Sequence, residues 1–130
     1  PLGQVAAQQI GVENEMLADP ILRADIARID IDSLAFALTT ERLVDEAKAG
    51  KELGSKSALL KYYGTELNKR RYELLMASAG NDGLEWEGEP SHDGALPRAW
   101  LRTKANSIEG GTSEVMLNII AKRVLGLPSS

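Results

Sequence analysis

From Asp19 to Gly80 apolar residues return every three or four positions, and glycine marks the places where the rhythm stops. That spacing puts them on one face of a helix, and very little of the chain reads as strand. Asp19-Pro20 has the chemistry of a helix start: a carboxylate to accept from the first free N–H groups, and a proline where no N–H is needed. Leu22, Ile26 and Ile29 share a face, which Phe36, Val44 and Ala47 extend, and Gly50 ends it. Gly54-Ser55 opens a second long helix with Leu60, Tyr63, Leu67 and Leu74 on one stripe, fading near Ala79-Gly80. A last helix is predicted from about Ser113 to Val124, with Met116, Ile119, Ile120 and Val124 as its apolar side, Gly126 stopping it and Pro128 preventing resumption. Shorter pieces are the end of an amphipathic helix over Leu2 to Gln9, stopped by Gly11, and a short helix from Pro97 to Thr103. Val12 to Ala18 reads as loop. Residues 80–97 are rich in glycine and proline and read as exposed turns. The fold class is all-α, an up-down helical bundle whose first segment looks cut short, so that residues 1–18 form the end of a preceding helix and a loop, and residues 19–128 the bundle domain. Pro1-Leu2-Gly3 can be read as a tag remnant and is given no structural weight.

Composition narrows what such a bundle can do. At 130 residues and 43% hydrophobic, one small domain with a core is expected. Without cysteine, disulfides, thiolate catalysis and Cys-based metal sites are excluded. The lone His92, between Ser91 and Asp93, has no ligand cluster near it and reads as a loop residue, so no metal site is expected. A formal net charge of −4 argues against a general nucleic-acid surface, and Lys69-Arg70-Arg71 reads as a solvated helix face. No apolar run approaches the ~20 residues of a membrane helix. The N-terminus carries no signal pattern, which makes a soluble intracellular protein the default.

The stretch Ser107-Ile108-Glu109-Gly110-Gly111-Thr112-Ser113-Glu114-Val115 invites two readings. Thr112 can cap the last helix, with Glu114 in its first turn, where the helix dipole favours negative charge. Two adjacent glycines instead suggest unusual φ or close approach of another group, and a helix N-terminus offers N–H groups to a polar cofactor edge. Glu109 is either an exposed loop carboxylate or, if desolvated and aimed into a pocket, a general base.

The run from Ile108 to Val115, followed by Asn118 to Pro128, resembles the C-terminal signature of acyl-CoA dehydrogenases. Arg98 to Asn106 resembles the segment before it. Asp19 to Arg23, with Lys61 and Glu66 to Arg70, resembles earlier helices of the same domain, so the likeness spans residues ~19 to 128. The resemblance implies a parent enzyme with an N-terminal helical domain, a middle β domain and a C-terminal bundle, of which this chain would be a fragment. Such enzymes use FAD to oxidise the Cα–Cβ bond of an acyl-CoA thioester: a base removes the α proton and the β hydrogen leaves as hydride. The usual pattern is aromatic-Glu-Gly-Thr. In this register the slot for the base is Gly110, and Glu109 stands in the aromatic position, as a candidate base or a substrate-contacting wall beside Gly110. Some relatives, such as the isovaleryl- and long-chain enzymes, take the base from an earlier helix, which would lie upstream of residue 1. Certain bacterial heteromeric dehydrogenases pair a base-bearing subunit with one that lacks the base. Thr112, Ser113 and Glu114 correspond to FAD-contacting positions. A Gln-x-x-Gly-Gly-x-Gly loop that touches the FAD of a neighbouring subunit in many relatives has no match in Ala79-Gly80-Asn81-Asp82-Gly83-Leu84.

The resemblance further implies an acyl-CoA substrate, electron-transfer flavoprotein as electron acceptor, and self-association or a paired dehydrogenase subunit. It implies a cytoplasmic setting, or the mitochondrial matrix in a eukaryote. The isolated chain is expected to be inactive and to associate through the Leu60, Tyr63, Leu67 and Leu74 stripe. A non-catalytic helical oligomerisation domain is the alternative from another class.

Overall fold

The computed structural model describes residues 2–89 and 92–128, so Pro1 of the suspected remnant and Pro90 of the turn-rich stretch lie outside the described residues. The order is α1 (Leu2–Ile10), a hairpin of β1 (Val12–Glu13) and β2 (Met16–Leu17), α2 (Pro20–Lys48), α3 (Lys56–Ala79), a 3-10 turn (Gly80–Leu84), α4 (Ala95–Asn106) and α5 (Ser113–Ile119), which continues as a π turn (Ile120–Val124). The all-α expectation holds, and α3 is the hub: α1, α2, α4 and α5 all pack on it.

Most boundaries follow the punctuation. Asp19 accepts from the N–H groups of Ile21 and Leu22 at 2.9 Å each, with Pro20 in the first turn. Gly11, Gly50 and Gly80 all take positive φ just beyond helices α1, α2 and α3. The stretch from Val12 to Ala18 departs from its reading as loop. It forms a two-residue hairpin with Val12 opposite Leu17 and Glu13 opposite Met16. Asn14 and Glu15 both have positive φ, 49° and 63°, the handedness that matches the strand twist in the tightest hairpins. α4 is also longer than its proline suggests, because Gly94, in a left-handed conformation, caps it and the helix begins at Ala95, two residues before Pro97.

Leu2, Ala6, Leu22 and Ile26 are buried together, with Ile10, Leu17, Leu74 and Leu75 packed against them. Leu2 is therefore a core residue, which corrects the reading of residues 1–3 as structurally weightless. Further along α2, Ile29 and Leu43 are buried, and the half-buried Phe36 tilts against Tyr63 with centroids 5.9 Å apart. The Phe36 ring also covers Gly64, where an added Cβ would meet it at 2.9 Å, so Gly64 sets how closely α2 and α3 approach. Val44 and Ala47 do not continue the buried face; Leu43, seven residues from Phe36 and so two turns on, takes the inward place instead.

The α3 stripe expected to mediate association is partly covered within the chain: Leu67 is buried and Leu60, Tyr63 and Leu74 are half-buried, as befits a helix with four others packed on it. Large exposed aliphatics lie on α2 instead, at Ile31, Leu34 and Leu38. Residues 80–97 are only partly the exposed turns expected. His92 is exposed, but Gly83 and Gly94 are buried, and Arg98 stacks on the Trp86 ring at 3.9 Å. The last helix loosens into the π turn before Val124, which is exposed rather than apolar-side. Among the described residues no helix is long and apolar enough to cross a membrane.

Candidate functional site

The segment between α4 and α5 is a tight loop stapled to α3. Ile108 and Glu109 each donate N–H to the Ala105 carbonyl at 2.9 Å, and Ser113 N–H donates to Ser107 O at 3.0 Å. From the other side the Lys61 ammonium donates to the carbonyls of Asn106 at 2.9 Å and Gly111 at 2.6 Å. Asn68 adds an amide contact to Asn106 at 3.2 Å.

Both glycines are left-handed, with φ of 66° at Gly110 and 108° at Gly111. Their surroundings differ. An added Cβ at Gly110 would meet nothing within 4 Å, whereas one at Gly111 would collide with the Met116 methyl. The close approach that a glycine pair suggests is made at Gly111 by the chain's own methionine. At Gly110 the surface is open.

Glu109 is bound on both oxygens. Arg102 Nη2 lies 3.1 and 2.9 Å from its two oxygens, and Asn106 Nδ2 donates to Oε1 at 2.7 Å. The side chain is half exposed. The Arg102 hydrogen bond first, and the Asn106 amide second, hold its carboxyl below the usual carboxylate range. Desolvation, which would raise a carboxylate towards a useful base pKa, is outweighed.

Thr112 caps α5, its Oγ1 accepting from the Val115 N–H at 3.3 Å. The Met116 N–H goes to the Thr112 carbonyl at 3.0 Å. Glu114 folds back on its own N–H and on Thr112, which lowers its pKa. The first-turn donors are thus engaged within the chain, and what faces outward is side chain. Ser113 Oγ donates to Glu66 Oε1 at 3.3 Å, and Lys69 pairs with the same oxygen at 2.8 Å. Tyr62, Lys69, Ser107, Ile108, Thr112 and Ser113 line a shallow groove here, which Glu66, Glu114 and Leu117 complete. A second groove, lined by Leu60, Gly64, Thr65, Asn68 and Asn106, has Glu109 on its wall.

Residues 3–125 match the model of the acyl-CoA dehydrogenase C-terminal domain. The chain belongs to that family. It is 28% identical over 127 residues to the acyl-CoA dehydrogenase FadE34 of Mycobacterium tuberculosis, a match covering 98% of this chain and 17% of that protein. It is 44% identical over 57 residues to the acyl-CoA dehydrogenase IpdE1 of the same organism, covering 43% of this chain and 14% of that one. The chain thus spans less than a fifth of the length of either curated relative. No solved structure matches it.

Within this acyl-CoA dehydrogenase domain the residues singled out from sequence fall into two adjacent places. Thr112, Ser113 and Glu114 border the first groove; Glu109 borders the second, and Gly110 lies open on the loop between Glu109 and Thr112. Sequence reasoning left out the groups that hold them. Arg102 precedes Glu109 by seven residues and ends up beside it because the loop folds back. Lys61 had a visible signal, a cation beside the apolar stripe of α3. Lys69, in a run whose charge pattern suggests a solvated face, is paired and half-buried at the groove.

Proposed function

We propose that this chain is the C-terminal bundle of a FAD-dependent acyl-CoA dehydrogenase, with Thr112, Ser113 and Glu114 presenting one polar edge to the cofactor. What carries the reading is the family match over residues 3–125, which takes in the loop whose groove is lined by hydroxyls. The donor set fits an uncharged part of FAD. Glu66 and Glu114 border the groove and the nearest cation, Lys69, is already paired with Glu66, so a phosphate would meet unbalanced negative charge. Hydroxyl or amino groups of the cofactor would suit the hydroxyls of Thr112 and Ser113 and the carboxylate of Glu114. When bound, FAD supplies the hydride acceptor for Cα–Cβ oxidation of the acyl-CoA.

The α-proton base is proposed to come from outside this loop, either from elsewhere in the same protein or from a paired subunit. Gly110 has no side chain, and Glu109 is held as a carboxylate by Arg102 and Asn106. Glu109 acts instead as a polar wall beside the acyl group, favouring substrates whose far end is polar or bulky. Electron-transfer flavoprotein is the proposed acceptor, the subunits assemble through helical faces of the bundle, and the setting is cytoplasmic or the mitochondrial matrix. The division at residue 18 is kept in this reading as a boundary between a preceding helix with its loop and the bundle domain, although both share one core.

In the full-length protein, Thr112→Ala with Ser113→Ala should lower flavin occupancy after gel filtration. A full-length protein that purifies colourless and stays so with added FAD would overturn the flavin reading. The isolated chain should bind FAD weakly or not at all, and one that stays yellow after gel filtration would show this small edge to be sufficient. Glu109→Gln in the full-length enzyme should keep most of the flavin-reduction rate, whereas loss of a base contributes on the order of 10²–10⁴-fold. A thousandfold loss with FAD retained would make Glu109 the base.

A further inference from the structure

Hydroxyls inside these helices turn back on their own backbone. Ser33, Thr39, Thr40 and Ser78 each donate to the carbonyl four residues earlier, at 2.6, 2.8, 2.8 and 2.7 Å. Thr65, half-buried in the middle of α3, does not: its hydroxyl has no hydrogen-bond partner among the described residues. It lines the second groove, on the face of α3 that also carries Lys61, Gly64 and Asn68.

Asn68 supplies a second open group, and Glu109 is what fixes it. A carboxylate only accepts, so Asn106, 2.7 Å from Glu109 Oε1, must turn its NH2 that way. The Asn106 side-chain oxygen then faces Asn68, which meets it with its own NH2 at 3.2 Å. The Asn68 side-chain oxygen is left without a partner among the described residues. Residues three apart on a helix have Cβ atoms about 5–6 Å from each other, close enough for one ligand atom to reach both.

The rest of the groove says what that atom belongs to. Its volume is about 430 Å³, within the roughly 300–1,000 Å³ of small-molecule sites. The charges on its walls, Lys61 and Glu109, cancel, and both are engaged: Lys61 with two backbone carbonyls, Glu109 with Arg102 and Asn106. An ionised group would find no uncompensated charge to pair with. A ketone or ether only accepts and would leave the Asn68 oxygen unmatched. A hydroxyl both donates and accepts through one atom, and Leu60 gives its carbon skeleton an apolar wall.

We propose that the second groove is the subsite for the far end of the acyl group, that it takes an uncharged end bearing a hydroxyl, and that Thr65 and Asn68 select it. The hydroxyl donates to the Asn68 side-chain oxygen and accepts from Thr65. This rests on the reading of Glu109 as a wall beside the acyl group, and adds to it the selecting residues and the substrate chemistry.

The test uses the full-length enzyme and saturated acyl-CoA esters of equal length ending in methyl, hydroxyl or carboxylate, over a series of lengths. Flavin reduction should favour the hydroxyl ester over both others, through KM rather than kcat, because the contact is remote from the bond being oxidised. One neutral hydrogen bond corresponds to about a two- to tenfold change in affinity. Thr65→Val should therefore cut the hydroxyl-over-methyl ratio of kcat/KM by about that factor, Thr65→Ser should hold it, and Thr65→Val with Asn68→Ala should abolish it. Binding titrations with the corresponding enoyl products, which need no turnover, should show the same ratios. A preference for the carboxylate ester, or a ratio untouched by Thr65→Val, would overturn the inference. So would an equal loss on all three esters, which would place the CoA arm common to them in the groove. No flavin reduction by any ester, with FAD bound, would overturn the underlying reading as well.

Discussion

Near Leu74 and Leu75, α3 is packed against Leu2, Ala6, Leu22 and Ile26, an apolar cluster joining three helices. Earlier in the same helix, between Lys61 and Lys69, the loop after α4 is held by polar contacts: a lysine on two carbonyls, an amide on an amide, a serine on a glutamate. The two regions divide the work. Burial is non-directional and proportional to area, so the apolar end sets how much stability the bundle has. Hydrogen bonds are modest in net energy but fix direction, so the polar end sets where Glu109, Gly110 and Thr112 point.

The sharpest way to break this comparison is at the apolar end. Ile26→Ala should destabilise the chain by about 2–4 kcal/mol, the range for emptying a buried aliphatic site, measured by urea unfolding. If Ile26→Ala proved milder than the loop substitutions below, the division would be wrong. Next in size, Lys61→Ala leaves the Asn106 and Gly111 carbonyls without their lysine donor and should destabilise by about 1–3 kcal/mol. Hydrogen exchange should quicken over residues 106–113 far more than in α1, and uniform quickening would mean that the loop and the core unfold as one.

The glycine pair should show an asymmetry. Gly111→Ala combines a left-handed φ with the Met116 clash, Gly110→Ala the φ alone, so the first should lose more than the ~1 kcal/mol expected of the second. Met116→Ala in the Gly111→Ala background should recover the difference. Equal losses at 110 and 111 would show that the Met116 methyl, the tip of a flexible side chain, swings aside at no cost.

The smallest effect is electrostatic. With its pKa held below the ordinary 4.5 by Arg102 and Asn106, Glu109 stabilises the folded loop above that value and loses the contribution as pH falls through its depressed one. Carboxyl resonances followed by NMR should show Glu109 titrating below 4.5, and Arg102→Ala should move it upward. No shift on losing Arg102 would leave the ion pair without a role in solution.

How much of this was legible in the sequence follows the same divide. The apolar end was readable because burial leaves a period: Leu22, Ile26 and Ile29 announce their face, and Asp19-Pro20 its start. Leu2 is hidden because Pro1-Leu2-Gly3 has the look of a tag, and the hairpin because two short strands leave no period. The polar end was readable only as a motif. Glu109 to Glu114 could be recognised as a family signature. That Arg102 and Asn106 grip Glu109, or that Lys61 reaches across from α3, depends on a loop path that no spacing rule encodes. The unequal cover of α2 and α3 has the same origin. Both helices carry apolar stripes, and only packing decides which one is enclosed.

Gly110 carries a consequence of another kind. Its Cβ position is open on all sides, so the loop is a socket that accepts a side chain without rebuilding its neighbours. The obstacle to filling it is conformational, about 1 kcal/mol for a non-glycine residue in the left-handed region. A lineage could therefore gain or lose a carboxylate at this place by one substitution, in either direction, with the scaffold intact. That makes the chemistry of this loop far more changeable in evolution than the fold that carries it.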